Sequence, residues 1–276
     1  MFFKKFSGKL LIYIFLIIVV ISILLPLYYM FITSFKSHDE YLSNKLNIPE
    51  KFVMQNYISI IMKSNFLRFM YNSFQITILS TILCIVAALL AAFAFVNYKF
   101  RFKNILYILI LSLMSIPPIV MIIPLFIQMG KFKLIGNQFS AIIIYIGLTL
   151  PFSIFLLTNF FKTVPNELKE AALIDGCSDM QYFIKVMIPL SKPAIATLAI
   201  VNGIWVWNEL LVALVFLPND KSRTLMSAIM LNMGKTELNI PLITSGLVVA
   251  SIPILILFLV FQKWFVRGLI EGSIKG

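Results

Sequence analysis

The sequence predicts an all-α integral membrane protein: six transmembrane helices with a cytoplasmic helix-turn-helix loop between the fourth and fifth. Composition is the first reason. The 276 residues are 61% hydrophobic and 12% charged, with a mean hydropathy of +0.98, whereas a soluble domain carries about a quarter charged residues. Distribution is the second. Uncharged runs occupy 10–35, 69–98, 104–129, 141–161, 193–208 and 241–262, and most exceed the ~18–20 residues that cross a bilayer as a helix. Runs such as "LLIYIFLIIVVISILL" do not alternate in polarity, which excludes the roughly ten-residue strands of a membrane barrel.

Taken in order, residues 1–9 form a cytoplasmic N-terminus with Lys4, Lys5 and Lys9. The first run resembles the start of a signal peptide. It is too long for a signal h-region and lacks a small-x-small cleavage site, so it stays as a span. Residues 10–262 form the membrane domain and 263–276 a cytoplasmic tail. Six spans put both termini on one side, and the dense "KFRFK" at 99–103 marks that side as cytoplasmic by the positive-inside rule. His38, beside Asp39 and Glu40 in the first external loop, reads as a solvated surface residue, and no set of three or four metal ligands stands out. Pro117, Pro118 and Pro124 are expected to bend the third span, with Pro151 and Pro253 bending others. The net charge of +12 is explained by basic residues at helix ends facing anionic headgroups, not by nucleic acid. Cys84 and Cys177 give no disulfide framework.

The loop 162–192 is polar between two apolar spans. Pro165 suits a first helical turn, with Glu167 and Glu170 near the positive end of that helix. Leu168, Ala171 and Ala172 lie at i, i+3 and i+4 and predict one small-residue face. Gly176 stands at a helix stop, and Ser178 with Gln181 has capping-box spacing. Pro189 and Pro193 end the second helix and open the fifth span. Four acids, Glu167, Glu170, Asp175 and Asp179, would be repelled by an anionic leaflet, so a docking element for a cytosolic protein fits better than a surface helix.

The fifth span is read as continuing past Glu209 to Leu217, which sets that carboxylate about 12 Å down the helix. A carboxylate there must face protein or a water-filled cavity. One reading groups it with Asn202, Trp205, Trp207 and Asn208 along a translocation pathway. The other makes it an inter-helix hydrogen bond between two subunits. No nucleotide loop is present: in Gly234-Lys235-Thr236 the position that requires the first glycine holds Ile229. The chain is read as a non-enzyme with no cofactor of its own.

Glu170-Ala171-Ala172, three residues, Gly176, nine residues, then Val186, Ile188 and Pro189 resembles the signature loop of ABC importer permeases. "WNELLVALVFL" (207–217), "SRTLMSAIM" (222–230), "QKWFVRGLIEGSIKG" (262–276) and "IPEKFVMQNYISII" (48–61) look like the carbohydrate-uptake branch, specifically its maltose-type second permease. The resemblance implies alternating-access import of sugars or oligosaccharides in a prokaryotic cell membrane. It implies a second homologous permease subunit, two ATPase subunits carrying ATP and Mg, and an extracytoplasmic solute-binding protein. Glu170, Ala171, Ala172, Asp175, Gly176 and Pro189 would form the coupling loop, and the tail with Arg267 and Gly268 a second ATPase contact. Glycerol phosphate, a polyol or another small solute stays open as cargo. A stand-alone secondary transporter or channel is the remote alternative, since Glu209 is the one formal charge inside a span.

Overall fold

The computed structural model describes residues 2–63, 65–233 and 239–273, with side chains for 9, 11–62, 65–231, 239–260 and 262–263. Among these, all the regular secondary structure is helical. In order the helices are α1 Phe2–Ser34, α2 His38–Ser43, α3 Gln55–Lys63, α4 Phe66–Asn97, α5 Lys103–Ser112, α6 Pro118–Lys131, α7 Gln138–Phe161, α8 Asn166–Ile174, α9 Asp179–Tyr182, α10 Ile188–Leu190, α11 Lys192–Asn208, α12 Leu211–Phe216, α13 Leu225–Met233 and α14 Ile240–Ser273. Four helices are long and apolar enough to cross a membrane, and the number rises to six when each of two bent pairs is taken as one span.

The bends have local causes. Between α5 and α6 the axis turns by 103°. Ile116 and Pro117 both lie in extended conformation there, because a residue preceding proline is driven out of the helical region. The run 104–129 is therefore two helices at a corner, a sharper departure than the expected bend. Pro151 and Pro253 lie inside unbroken helices. The second bent pair, 70° apart, joins Asp179–Leu190 to Lys192–Asn208.

The chain divides into two compact units. Residues 1–67 and 229–252 form the first. There the loop after α1 is stitched to the helix end. Lys36 is fully buried and its Nζ donates to the carbonyls of Asn44 (2.8 Å) and Lys45 (3.1 Å). Asn56 Nδ2 donates to the carbonyls of Ser34 (2.9 Å) and Lys36 (2.8 Å). His38 is half-buried, with Nδ1 shielded from solvent and unpartnered. That corrects its reading as a solvated residue: the loop folds back against the helix end instead of standing free.

Residues 68–228 and 253–276 form the second unit. One apolar cluster joins α4, α7, the polar segment and α11 through Ala88, Ala92, Leu157, Phe161, Phe183 and Met187. Ala88 and Ala92, one turn apart on α4 and fully buried, allow close helix approach. A second cluster holds Ile76, Tyr145, Val206, Val212 and Phe216 together. Where the chain turns into α7, Gly136 takes φ +83° and donates its N–H to the Phe216 carbonyl at 2.8 Å. The positive φ is what calls for glycine; a Cβ there would also meet the amide end of the exposed Asn219 side chain at 2.6 Å, which can swing aside.

Candidate functional site

The polar segment is built by local rules. Helix α8 starts directly after Pro165, with Glu167 in its first turn. Its end is a Schellman turn: Cys177 N–H bonds the Ala172 carbonyl (2.9 Å) and Gly176 N–H the Leu173 carbonyl (3.0 Å), with Gly176 at φ +77°. Such a turn satisfies carbonyls that the helix end would leave open. Ser178 then caps α9 in a reciprocal box with Gln181. Residues Phe183–Met187 form a π turn before Pro189. Proline offers no N–H to the carbonyl four residues back and crowds it, and a widened turn relieves both. The helix ends at Leu190, and Ser191 Oγ donates to the Met187 carbonyl at 2.6 Å.

This segment has a root and a tip. Ala172, Tyr182, Phe183 and Met187 are buried in the cluster formed with α4, α7 and α11. Glu170, Ala171, Asp175 and Gly176 are exposed. So are Leu168, Leu173, Met180, Ile184 and, at 86%, Ile174. The predicted small-residue face therefore divides: Ala172 turns inward to the core while Leu168 and Ala171 stay outside. Desolvation first, then the neighbouring Asp179 side chain and its charge, raise the pKa of Tyr98, just beyond α4, above its ordinary value.

The second polar group lies at a break in the fifth span. Helix α11 ends at Asn208, Glu209 is extended, and α12 begins at Leu211. This corrects the continuous helix through Glu209. The carboxylate accepts the N–H groups of Leu211 (2.8 Å) and Val212 (2.9 Å) and the Tyr145 hydroxyl (2.9 Å). It thus caps the helix whose start it creates, serving donors that a helix N-terminus leaves open. No inter-subunit partner is needed to satisfy it.

The residues grouped with Glu209 do not share one face. Trp205 is 38% exposed and stands edge-on to Tyr145 at 6.1 Å. Asn208, also exposed, bonds the Ile204 carbonyl at 2.8 Å. Buried Tyr145 links exposed Trp205 to the half-buried Glu209. Trp207 turns the other way, buried and edge-on to Phe74 at 4.9 Å. Asn202 is buried too, donating to Ser153 Oγ at 2.9 Å. Around that bond Thr149 Oγ1 donates to the Tyr145 carbonyl (2.7 Å) and Ser153 Oγ to the Thr149 carbonyl (2.8 Å), with Cys84 Sγ 3.4 Å from Ser153 Oγ. Polar groups of α4, α7 and α11 so satisfy one another inside the bundle. From the sequence, Thr149 and Ser153 read as cavity-lining or, more often for such residues, as bonding across helices, and they bond across to Cys84 and Asn202. Sequence reasoning missed Tyr145, although positions 145, 149 and 153 are spaced as one helical face.

Arg267 and Gly268 belong to a part of α14 whose side chains lie outside the described residues, and Gly234-Lys235-Thr236 lies outside them altogether. Among the described residues, no three His, Cys, Asp or Glu side chains converge as metal ligands do.

Residues 84–271 match the family described as the binding-protein-dependent transport system inner membrane component. An ABC transporter permease of Caldicellulosiruptor sp. (strain Rt8B.4) is 38% identical over 91% of this chain and 91% of its own. The sulfoquinovosyl glycerol transport system permease SmoH of Agrobacterium fabrum is 33% identical over 98% and 95%. A subunit in the crystal structure of a bacterial ABC transporter that imports the acidic polysaccharide alginate shares the fold, with a TM-score of 0.85 over 95% of this chain and 98% of that one at 23% identity.

Proposed function

This chain belongs to the binding-protein-dependent transport system inner membrane component family, and from that premise we propose that it is the permease subunit of an ATP-driven importer of sugars or oligosaccharides. A relative 33% identical is named for a glycosylated glycerol, which supports a sugar cargo over a bare polyol or phosphate ester. The chain pairs with a second homologous permease and receives cargo from an extracytoplasmic binding protein. Two cytosolic ATPase subunits hold ATP and Mg and do the hydrolysis. Both termini lie in the cytoplasm of a prokaryotic cell.

The observation that carries the reading is the segment 162–192. Its tip exposes Leu168, Leu173 and Ile174 among acids, although it lies between spans rather than in one. Exposed apolar side chains rimmed by charge suit a protein partner. Its root is packed against α4, α7 and α11, so displacement of the tip moves three membrane helices together. Glu170, Ala171, Asp175 and Gly176 meet the ATPase; Ala172 and the π turn before Pro189 carry the motion inward. Arg267 and Gly268 add the second contact. When the ATPase pair closes on ATP, the coupling segments are drawn together and the pathway opens outward; hydrolysis reverses this. Trp205 and Asn208, with Tyr145 and Glu209 behind them, present an aromatic face and an amide toward the pathway, the pairing that a sugar's ring face and hydroxyls require.

The test is uptake and ATP hydrolysis by the reconstituted complex carrying Gly176→Val. Valine is strained at φ +77°, so hydrolysis should no longer depend on loaded binding protein while the chain still inserts. Wild-type uptake together with wild-type stimulation would end the coupling assignment.

A further inference from the structure

Residues 99–103, Lys-Phe-Arg-Phe-Lys, join α4 to α5 and are not used by the transport cycle described above. Phe102 takes φ +64°, turning the chain sharply into α5. The turn gathers Lys99, Phe100, Phe102, Lys103, Asn104 and Ile105 around a shallow pocket of about 490 Å³. Beside it the Arg101 guanidinium lies 5.0 Å above the Phe102 ring. Lys103 Nζ spends one proton on the Tyr98 carbonyl at 3.0 Å and keeps two. Among the described residues no carboxylate pairs with Lys99, Arg101 or Lys103.

Unneutralised cations are common on a soluble surface; here they border oil. Phe102 is 63% exposed, and Ile105, Leu106, Ile108 and Leu109 follow on α5, all exposed. A partner for this site therefore needs an anionic group joined directly to an apolar body. We propose that this pocket is a headgroup site for an anionic phospholipid, with the phosphate held by Lys99 and Lys103 and the acyl chains lying along the exposed face of α5. Basic pockets beside membrane helices bind such headgroups. An acidic soluble protein would match the charges, but it would have to cover the apolar side chains of α5 as well. Binding at this pocket does not depend on what the chain transports.

The experiment is native mass spectrometry of the purified full-length chain, with whatever subunits accompany it, delipidated in neutral detergent. It is then titrated with phosphatidylglycerol or phosphatidylcholine. The wild type should retain phosphatidylglycerol selectively. Neutralising Lys99, Arg101 and Lys103 to Gln should weaken retention by roughly fivefold per charge, about a hundredfold in all. Lys99→Arg with Lys103→Arg should keep the lipid, as should Lys131→Gln with Lys133→Gln at the far end of α6. Melting temperature in detergent is read alongside, and an unchanged value excludes misfolding in the triple variant. Equal retention of the two lipids by the wild type would overturn the proposal, as would undiminished phosphatidylglycerol on the triple variant. Displacement of the lipid by inorganic phosphate at low millimolar concentration would make this a small-anion site instead. Loss of a bound protein subunit with lipid retention unchanged would make it a docking face.

Discussion

Glu209 and Glu170 are both acids in an apolar chain, and the fold treats them in opposite ways. Glu209 lies between two pieces of a membrane span and is satisfied by its own chain, through two backbone N–H groups and the Tyr145 hydroxyl. Glu170 lies on an exposed helix and, among the described residues, makes no hydrogen bond or ion pair. Satisfaction separates the two kinds of polar residue that a membrane protein keeps. An acid with all its partners at home holds the fold; in the proposed function, an acid exposed beside bare apolar side chains is kept for something outside the chain.

Substitutions should break or sharpen that contrast. Glu209→Ala should have the largest effect on stability. It removes three hydrogen bonds and leaves three donors open, a loss of roughly 3 kcal/mol at about 1 kcal/mol each, read as a fall in detergent melting temperature and yield. Glu209→Gln should recover part of that, since its carbonyl still accepts. Next comes Asn202→Ala. Ser153 keeps its bond to the Thr149 carbonyl, so the amide's bond to Ser153 Oγ, its longer contact with Cys84 Sγ and a small volume are lost, about 1–2 kcal/mol. Gly176→Ala follows at roughly 1 kcal/mol for a side chain placed at positive φ; because open space surrounds that position, the cost is conformational and not steric. Glu170→Gln closes the series with a stability change within about 0.5 kcal/mol but a clear loss of ATPase association by co-purification. If Glu170→Gln melted well below the wild type, the contrast between the two acids would fail.

Local features were legible in the sequence and long-range ones were not. Ser178 with Gln181 and the stop at Gly176 depend only on neighbours a turn away, and both form as their spacing dictates. The apolar blocks followed from the bilayer's thickness and so were legible too. The corner at Ile116–Pro117 was written in its two prolines, though the sequence reading allowed only for a bend. Glu209 was misread because one of its partners is 64 positions away in α7 and because a hydropathy run cannot register a break that its own side chain caps. Lys36 is hidden for the same reason. A lysine at a span's end reads as reaching for water, yet it is buried under carbonyls from a loop that folds back over it. The inward turn of Asn202 and Trp207 and the outward turn of Trp205 and Asn208 depended on which faces of α11 meet α4 and α7, information carried by packing and not by spacing.

The central claim is that the tip of the segment 162–192 docks an ATPase while its root holds the bundle. The most direct measurement is affinity purification of the tagged chain from its native membranes, with quantitative mass spectrometry of what accompanies it, for wild type and for Ile174→Arg. Ile174 is 86% exposed, so arginine there should leave folding intact. The account predicts a cytosolic ATPase and a second permease with the wild type, and loss of the ATPase alone in the variant. ATPase recovery equal to wild type from Ile174→Arg membranes would contradict it.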